Sequence, residues 1–114
     1  MPAISIAQSY FLLSNQSDFK QIRELLTSSS TYRSGNGDFF LGVENIMTMQ
    51  KSYHNSFLNL NWKVQSIIER QKGIVSVEFS FEGVTNISEN ISYNGLETII
   101  VFKNKIQHID VVRN

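Results

Sequence analysis

The spacing of apolar residues changes at Trp62, and this change constrains the fold more than any other feature of the chain. Before Trp62, apolar residues recur at intervals of three and four, as on one face of a helix. After it they alternate with polar residues, most clearly between Val75 and Phe81, as in strands with one buried face. Helices followed by an antiparallel sheet are the pattern of an α+β domain. We therefore predict N-terminal helices packed on a curled antiparallel sheet.

Three helices are predicted in the first half of the chain. The helical spacing gives one helix around Tyr10. Asp18 is placed to cap a second helix, with Gln21 three residues later as its capping-box partner. A third helix follows Gly42, and we expect its apolar stripe to reach Phe57.

The strands of the second half are joined by tight turns, which makes their sheet antiparallel. Each strand is predicted to run for about ten residues, which is long for a domain of this size, so the sheet must twist and curl. A short strand is also predicted at Thr31–Ser34, before a glycine-containing turn, and Lys103–Asn104 is predicted as a tight turn.

Composition excludes several classes of function. Ten basic and ten acidic residues cancel, so the basic excess of a nucleic-acid-binding protein is missing. There is no cysteine, which excludes disulfides, thiol nucleophiles and cysteine-ligated metals. No phosphate-binding glycine motif, signal peptide or membrane-spanning run is visible. We expect a cytoplasmic protein with no cofactor, no metal, and no nucleic-acid or membrane partner.

Several short segments occur in an order that resembles one superfamily. They are Tyr10, Ser17-Asp18-Phe19, Thr31–Ser34, Leu41-Gly42-Val43-Glu44-Asn45-Ile46 and Phe102-Lys103-Asn104-Lys105-Ile106. Together they resemble the nuclear-transport-factor-2-like (NTF2-like) superfamily, in particular its SnoaL-like and ketosteroid-isomerase-like branch. The usual glycine of the last segment is missing.

The resemblance implies a single domain over residues 1–114 with a cone-shaped, cystatin-like α+β barrel. A pocket then opens between the helices and the sheet. Members of the superfamily use this pocket for isomerisation, dehydration, cyclisation, epoxide opening or ligand binding. Many also dimerise through the outer face of the sheet, so we expect a homodimer of that kind.

The same resemblance argues against isomerase chemistry. That reaction needs a carboxylate base and an acidic pair, a tyrosine with a protonated carboxylic acid. Tyr10 falls at the tyrosine position, but Ser34 falls where the base should be and Thr98 where the acid should be. If the chain is an enzyme, Tyr10, Asp38 and His54 are the best candidates for catalysis, although a turn explains Asp38 better and a capping or solvated position at a helix end explains His54 better.

Other charged residues are assigned to the surface. His108 and Asp110 share one face of a strand, which the resemblance places outside the cone. Arg33 and Arg113 could each reach a mouth of the cone, where an arginine would suit a carboxylate-bearing ligand, but a solvated charge is the simpler interpretation.

Alternation and resemblance together give an inward-facing set that is mostly apolar and aromatic, which suits a small hydrophobic ligand. The predicted ligand-binding residues are Tyr10, Ser34, Tyr53, Trp62, Val77, Phe79, Phe81, Thr98 and Ile109, and Ile100 is also predicted to face inward. The first hypothesis is a SnoaL-like binding domain without isomerase machinery. The alternatives are an enzyme of this fold with a non-standard site, and an association module whose pocket is filled.

Overall fold

Helices and two short strands occupy the first half of the chain, and four long strands follow. The computed structural model describes residues 2–114. In chain order the elements are α1 (Ala3–Asn15), α2 (Phe19–Glu24), β1 (Thr31–Arg33), β2 (Phe39–Leu41), α3 (Val43–Asn55), β3 (Phe57–Gln71), β4 (Ile74–Thr85), β5 (Asn90–Phe102) and β6 (Lys105–Arg113). The predicted α+β class is confirmed. Within residues 2–114, no helix is long and apolar enough to cross a membrane.

The helix boundaries follow local chemistry. The Asp18 carboxylate accepts a hydrogen bond from the Gln21 backbone N–H at 3.2 Å, which confirms the predicted cap of α2. Gly42, with φ of +89°, is the N-cap of α3 and adopts a backbone conformation that suits glycine. The prediction that α3 reaches Phe57 is wrong. Phe57 begins β3 instead, and its ring lies over Gly83 of the neighbouring strand, where a Cβ would be only 2.6 Å from the ring.

All six strands form one open sheet in the order β2-β1-β6-β5-β4-β3. Neighbours are antiparallel except β1 and β6, which are parallel and bring residue 32 opposite residue 109. Register shifts in the β3–β4 pair bend the sheet, as bulges do. The helices cover its concave inner face. The core consists of apolar residues from that face and from the helices, among them Ile6, Phe11, Ile46, Met47, Val75, Val77, Phe79, Phe81, Ile99, Ile106 and Ile109.

A pair of hydrogen bonds joins a side chain of α1 to the backbone of the edge strand β3. The Asn15 carboxamide donates to the Trp62 carbonyl oxygen at 2.8 Å and accepts from the Trp62 N–H at 2.6 Å. The side chain of a helix therefore makes the pair of bonds that a neighbouring strand would make, and it fixes the indole of Trp62 in the cavity wall described below.

Candidate active-site cavity

A cavity of about 80 Å³ lies between α1, α3 and the inner face of the sheet. Its walls contain all four tyrosines of the chain, each from a different element, together with the single tryptophan. These residues are Tyr10 of α1, Tyr32 of β1, Tyr53 of α3, Trp62 of β3 and Tyr93 of β5. The walls are therefore aromatic, but most of the rings carry a polar atom.

Glu97 is the one carboxyl group in the cavity wall. It lies in β5 between Val77 of β4 and Val111 of β6, and only 3% of its surface is exposed. Burial raises its pKa to about 8 because a charged carboxylate loses its hydration there. At neutral pH Glu97 is therefore a neutral carboxylic acid. Within residues 2–114, its Oε1 atom has no hydrogen-bond partner.

Tyr10 lies close enough to Glu97 for the two to influence each other. Burial raises the pKa of Tyr10 well above its usual value, and a charge on Glu97 would act in the same direction. The Gln50 Nε2 atom lies 2.7 Å from the Tyr10 hydroxyl. Tyr10 and Glu97 therefore place two neutral hydroxyl donors in one buried site.

A second polar group lies nearer the mouth of the cavity. The hydroxyls of Tyr53 and Tyr93 are 3.1 Å apart. Burial, more than this contact, raises the pKa of Tyr93. The Arg113 guanidinium lies over the Tyr93 ring, with its Cζ 4.1 Å from the ring centroid. Ser34 and Gly35 complete this part of the wall.

His54 lies at the side of the cavity, near the end of α3. Its Nδ1 atom is 2.8 Å from the Ser17 hydroxyl, and its ring packs against Phe19 and Trp62. Burial lowers its pKa to about 4, so the imidazole is neutral at neutral pH and is a weak base. In the part of the chain that the structure describes, no cluster of three His, Asp or Glu residues is placed to hold a metal ion.

Solved structures with the same architecture are numerous. A protein from Shewanella denitrificans named as a SnoaL-like polyketide cyclase has a TM-score of 0.88 and 10% identity, over 98% of this chain and 90% of that chain. An NTF2-like protein of unknown function from an Exiguobacterium species has a TM-score of 0.87 and 13% identity, over 96% and 98%. The chain has the NTF2-like fold. A Mycobacterium tuberculosis epoxide hydrolase shares it at a TM-score of 0.86 and 12% identity, over 98% and 82%.

Identities this low establish the fold alone. No family model matches the sequence, and no curated protein matches it. The predicted resemblance is thus confirmed for the three-dimensional fold alone. Because the fold does not determine the function, the side chains of this cavity must do so.

The NTF2-like fold brings some of the predicted ligand-binding residues to the cavity and leaves others away from it. Those that line it are Tyr10, Ser34, Tyr53, Trp62 and Phe79. Three more, Val77, Phe81 and Ile109, are fully buried in the core outside the cavity wall. Whether any of them binds a ligand stays a prediction.

The predicted inward direction of Thr98 and Ile100 is wrong. In β5 the buried positions are Gly95, Glu97 and Ile99, so residues 98 and 100 point to the outer face. A register error of one residue in a strand exchanges its two faces. The cavity wall therefore does contain a carboxyl group, at residue 97 and not at residue 98.

The other catalytic candidates lie in different surroundings. His54 lines the cavity, but Asp38 does not. Asp38 is exposed in the turn between β1 and β2, where its backbone N–H donates to the Ser34 hydroxyl at 3.2 Å. His108 lies on β6, with its Nδ1 2.7 Å from the Thr31 hydroxyl, away from the cavity wall.

Ten cavity residues were absent from the predicted site. Those with the most chemical consequence are Tyr32, Tyr93, Glu97 and Arg113. The sequence signal that could have found Glu97 is the hairpin register. With a turn at residues 86–89, Phe81 falls opposite Tyr93 and Val77 opposite Glu97, so the inward face of β4 fixes the inward face of β5.

Proposed function

We propose that the chain binds, in this cavity, a small and largely apolar molecule that carries one hydrogen-bond acceptor, most simply a ketone carbonyl. The observation that supports this most directly is Glu97, a buried neutral acid with an unpartnered oxygen in a largely aromatic wall. Leaving a buried polar group unsatisfied costs about 1–3 kcal/mol. A carbonyl oxygen that accepts the Glu97 proton would recover that free energy.

The size of the cavity supports a small ligand. An engineered cavity of about 150 Å³ admits benzene. This one encloses about 80 Å³, roughly half of that volume, and it opens near Gly35 and Arg113, which are its exposed lining residues. The enclosed part therefore suits a fragment of three to five heavy atoms, with any remainder of the molecule at the mouth. The open volume also argues against the alternative of an association module with a filled pocket.

The experiment is an NMR titration with cyclopentanone, with cyclopentane as the hydrocarbon control. The indole N–H of Trp62 reports on the cavity because Trp62 is the only tryptophan and lies in its wall. We expect saturable shifts with the ketone that weaken above pH 8, as Glu97 ionises and loses its proton.

Two variants at residue 97 sharpen this test. Glu97→Gln keeps a donor and should keep ketone binding, whereas Glu97→Leu should weaken it about tenfold, the loss of one hydrogen bond of roughly 1.4 kcal/mol. Glu78→Gln, at an exposed position of β4, is the matched control. Equal ketone binding by wild type and Glu97→Leu would contradict the proposal.

A second candidate function is an enzyme that forms an enol from a bound ketone. The observation that favours it is the pair of neutral donors, Tyr10 and Glu97, which could hold an enolate oxygen. The base would be His54, the one imidazole of the wall, since Ser34 replaces the carboxylate expected there. Deuterium exchange at the α-carbon of cyclopentanone in D₂O tests this. Exchange no faster than in buffer would leave only binding, and accelerated exchange that is unchanged in His54→Gln would show that His54 is not the base.

We also propose that two copies pair through the outer face of the sheet. Leu96 and Val112 lie opposite each other there, and 47% of Val112 is exposed. The zero net charge of the chain removes long-range repulsion between two copies.

A further inference from the structure

Arg113 has a fixed place at the mouth of the cavity. It is the last residue of β6 and lies opposite Gly95 of β5. The backbone beyond it is also held, because the N–H of Asn114 donates to the Asn94 carbonyl oxygen at 3.0 Å. The side chain therefore starts from a rigid strand and lines the cavity.

Two neighbours hold the Arg113 side chain in position. One is the Tyr93 ring, which it covers at 4.1 Å. The other is Gly35, where a Cβ atom would lie 2.8 Å from Cγ and 2.9 Å from Nε of the arginine. Any larger residue at position 35 would push the arginine away, so this glycine makes the space in which the arginine rests.

Among residues 2–114, no acid forms an ion pair with Arg113. In the described residues, the ion pairs are those of Arg23 with Glu44 and of Arg33 with Asp110, so no carboxylate lies within 4.0 Å of Arg113. A guanidinium has five N–H donors in a fork that fits a carboxylate. Those of Arg113 are directed at no acid group of the protein.

Glu97 and Arg113 lie on the same inner face of the sheet. Val111 is opposite Glu97, and Arg113 is two residues farther along β6. Such diagonal neighbours have Cα atoms roughly 7–8 Å apart, and the arginine extends outward over Tyr93 from there. The cavity thus has a neutral donor at its inner part and a cation at its mouth.

We infer that the ligand is a small oxo acid, with its carbonyl at Glu97 and its carboxylate bound by the Arg113 guanidinium. This inference rests on the proposed function and names its ligand class. A single arginine with no lysine in the wall suits a monoanionic carboxylate better than a phosphate, which recruits several cationic or backbone donors.

The test uses three probes with a common carbon chain. They are 4-oxopentanoate, its neutral amide 4-oxopentanamide, and 4-methylpentanoate, which has a methyl group in place of the carbonyl oxygen. Affinities come from NMR titrations that follow the Trp62 indole and the amides of Gly35 and Gly95. We expect 4-oxopentanoate to bind about fivefold more tightly than its amide, the effect of one ion pair partly screened by solvent.

Variants of two arginines test whether Arg113 causes the preference for the carboxylate over the amide. Arg113→Gln should abolish the preference for carboxylate over amide, and Arg113→Lys should restore part of it. Arg33→Gln is the matched control, because Arg33 lies on β1 outside the cavity wall and pairs with Asp110 at 3.8 Å. It should leave all three affinities unchanged.

The outcomes separate the two proposals. If both ketones bind equally, or if the carboxylate preference survives in Arg113→Gln, the oxo-acid inference is overturned while ketone binding stands. If neither ketone binds, both proposals fail. If 4-methylpentanoate binds as well as 4-oxopentanoate, the arginine contributes but the role given to Glu97 is wrong.

Discussion

The two ends of the sheet's inner face are built by the same strands, yet one end is filled and the other is hollow. At the filled end, Val75, Ile99 and Ile106 are completely buried and contribute no polar side-chain atom. At the cavity end, Glu97 and Tyr93 occupy the same face of β5 as Ile99. Aliphatic side chains interdigitate and leave few voids. The aromatic and polar side chains at the other end enclose a cavity of about 80 Å³. The difference teaches that the packed core and the candidate binding cavity are separated along a single strand.

The largest loss of stability is expected from a substitution at the filled end of the sheet. Ile99→Ala should lower the free energy of unfolding by about 2–5 kcal/mol, because it leaves a cavity that the tightly packed neighbours cannot close. Urea unfolding measures this. Ile100→Ala, one residue along on the outer face, is the matched control and should cost clearly less. Similar losses for both would contradict the assignment of the two faces.

A smaller loss of stability is expected where the filled end of the sheet meets the cavity end. Gly95 lies opposite Phe79, and a Cβ there would be 2.5 Å from Cζ of the ring. Gly95→Ala should therefore displace Phe79 into the cavity, destabilise the fold by about 1–3 kcal/mol as overpacking does, and abolish ketone binding. Asn94→Ala, at the exposed neighbouring position, is the control. Full ketone binding in Gly95→Ala would show that Phe79 does not shape the cavity.

The cavity end should also make stability depend on pH. The pKa of Glu97 rises from 4.5 to about 8 on folding, so between these values the unfolded chain releases a proton that the native state keeps. The contribution of Glu97 to the free energy of unfolding therefore falls as the pH rises from 4.5 to about 8. His54 acts oppositely below pH 6.5, because its pKa is lowered to about 4 in the fold and only the unfolded chain is protonated there. From about pH 4.5 to pH 6.5, Glu97 therefore lowers the free energy of unfolding with rising pH, while His54 raises it.

Above pH 6.5 only the Glu97 effect remains. Stability should fall by about 2 kcal/mol between pH 6.5 and pH 8, at roughly 1.4 kcal/mol per pH unit. Urea unfolding at several pH values checks this. In Glu97→Gln the fall should disappear and stability should instead increase from pH 4.5 to pH 6.5. A fall of equal size in that variant would mean that another group titrates.

The smallest effect on folding is expected on the outer face. Leu96→Arg should change the free energy of unfolding of the monomer by less than about 0.5–1 kcal/mol, since the residue is only half-buried. It should nevertheless dissociate the proposed dimer, because two copies would place arginines against each other. Sedimentation velocity measures this, with Lys63→Ala on exposed β3 as the control. A wild-type chain that sediments as a monomer would contradict the dimer proposal directly.

Much of the fold could be predicted from short-range patterns. The alternation from Val75 to Phe81 predicted the faces of β4, and Asp18 with Gln21 predicted the start of α2. In these segments a single local rule decides the structure. The Lys103–Asn104 turn belongs to the same class, since both residues adopt positive φ as a tight hairpin requires.

The site was harder to predict because it depends on register and on distant pairing. Both faces of β5 carry apolar residues, so alternation alone cannot choose between Glu97 and Thr98. Tyr32 reaches the cavity through the parallel pairing of β1 with β6, opposite Ile109, far away in sequence. The three-residue strand β2 was missed because it is too short to show any period.

The contact between Asn15 and Trp62 has a consequence for how the molecule meets others. β3 is a 15-residue edge strand, and such edges are templates on which another chain can add a strand. The Asn15 carboxamide already satisfies both backbone groups of Trp62, so an incoming strand would have to displace α1 to pair there. The helix α1 therefore blocks strand pairing in the middle of the β3 edge. This opposes the addition of further strands from other chains, which is how fibres grow.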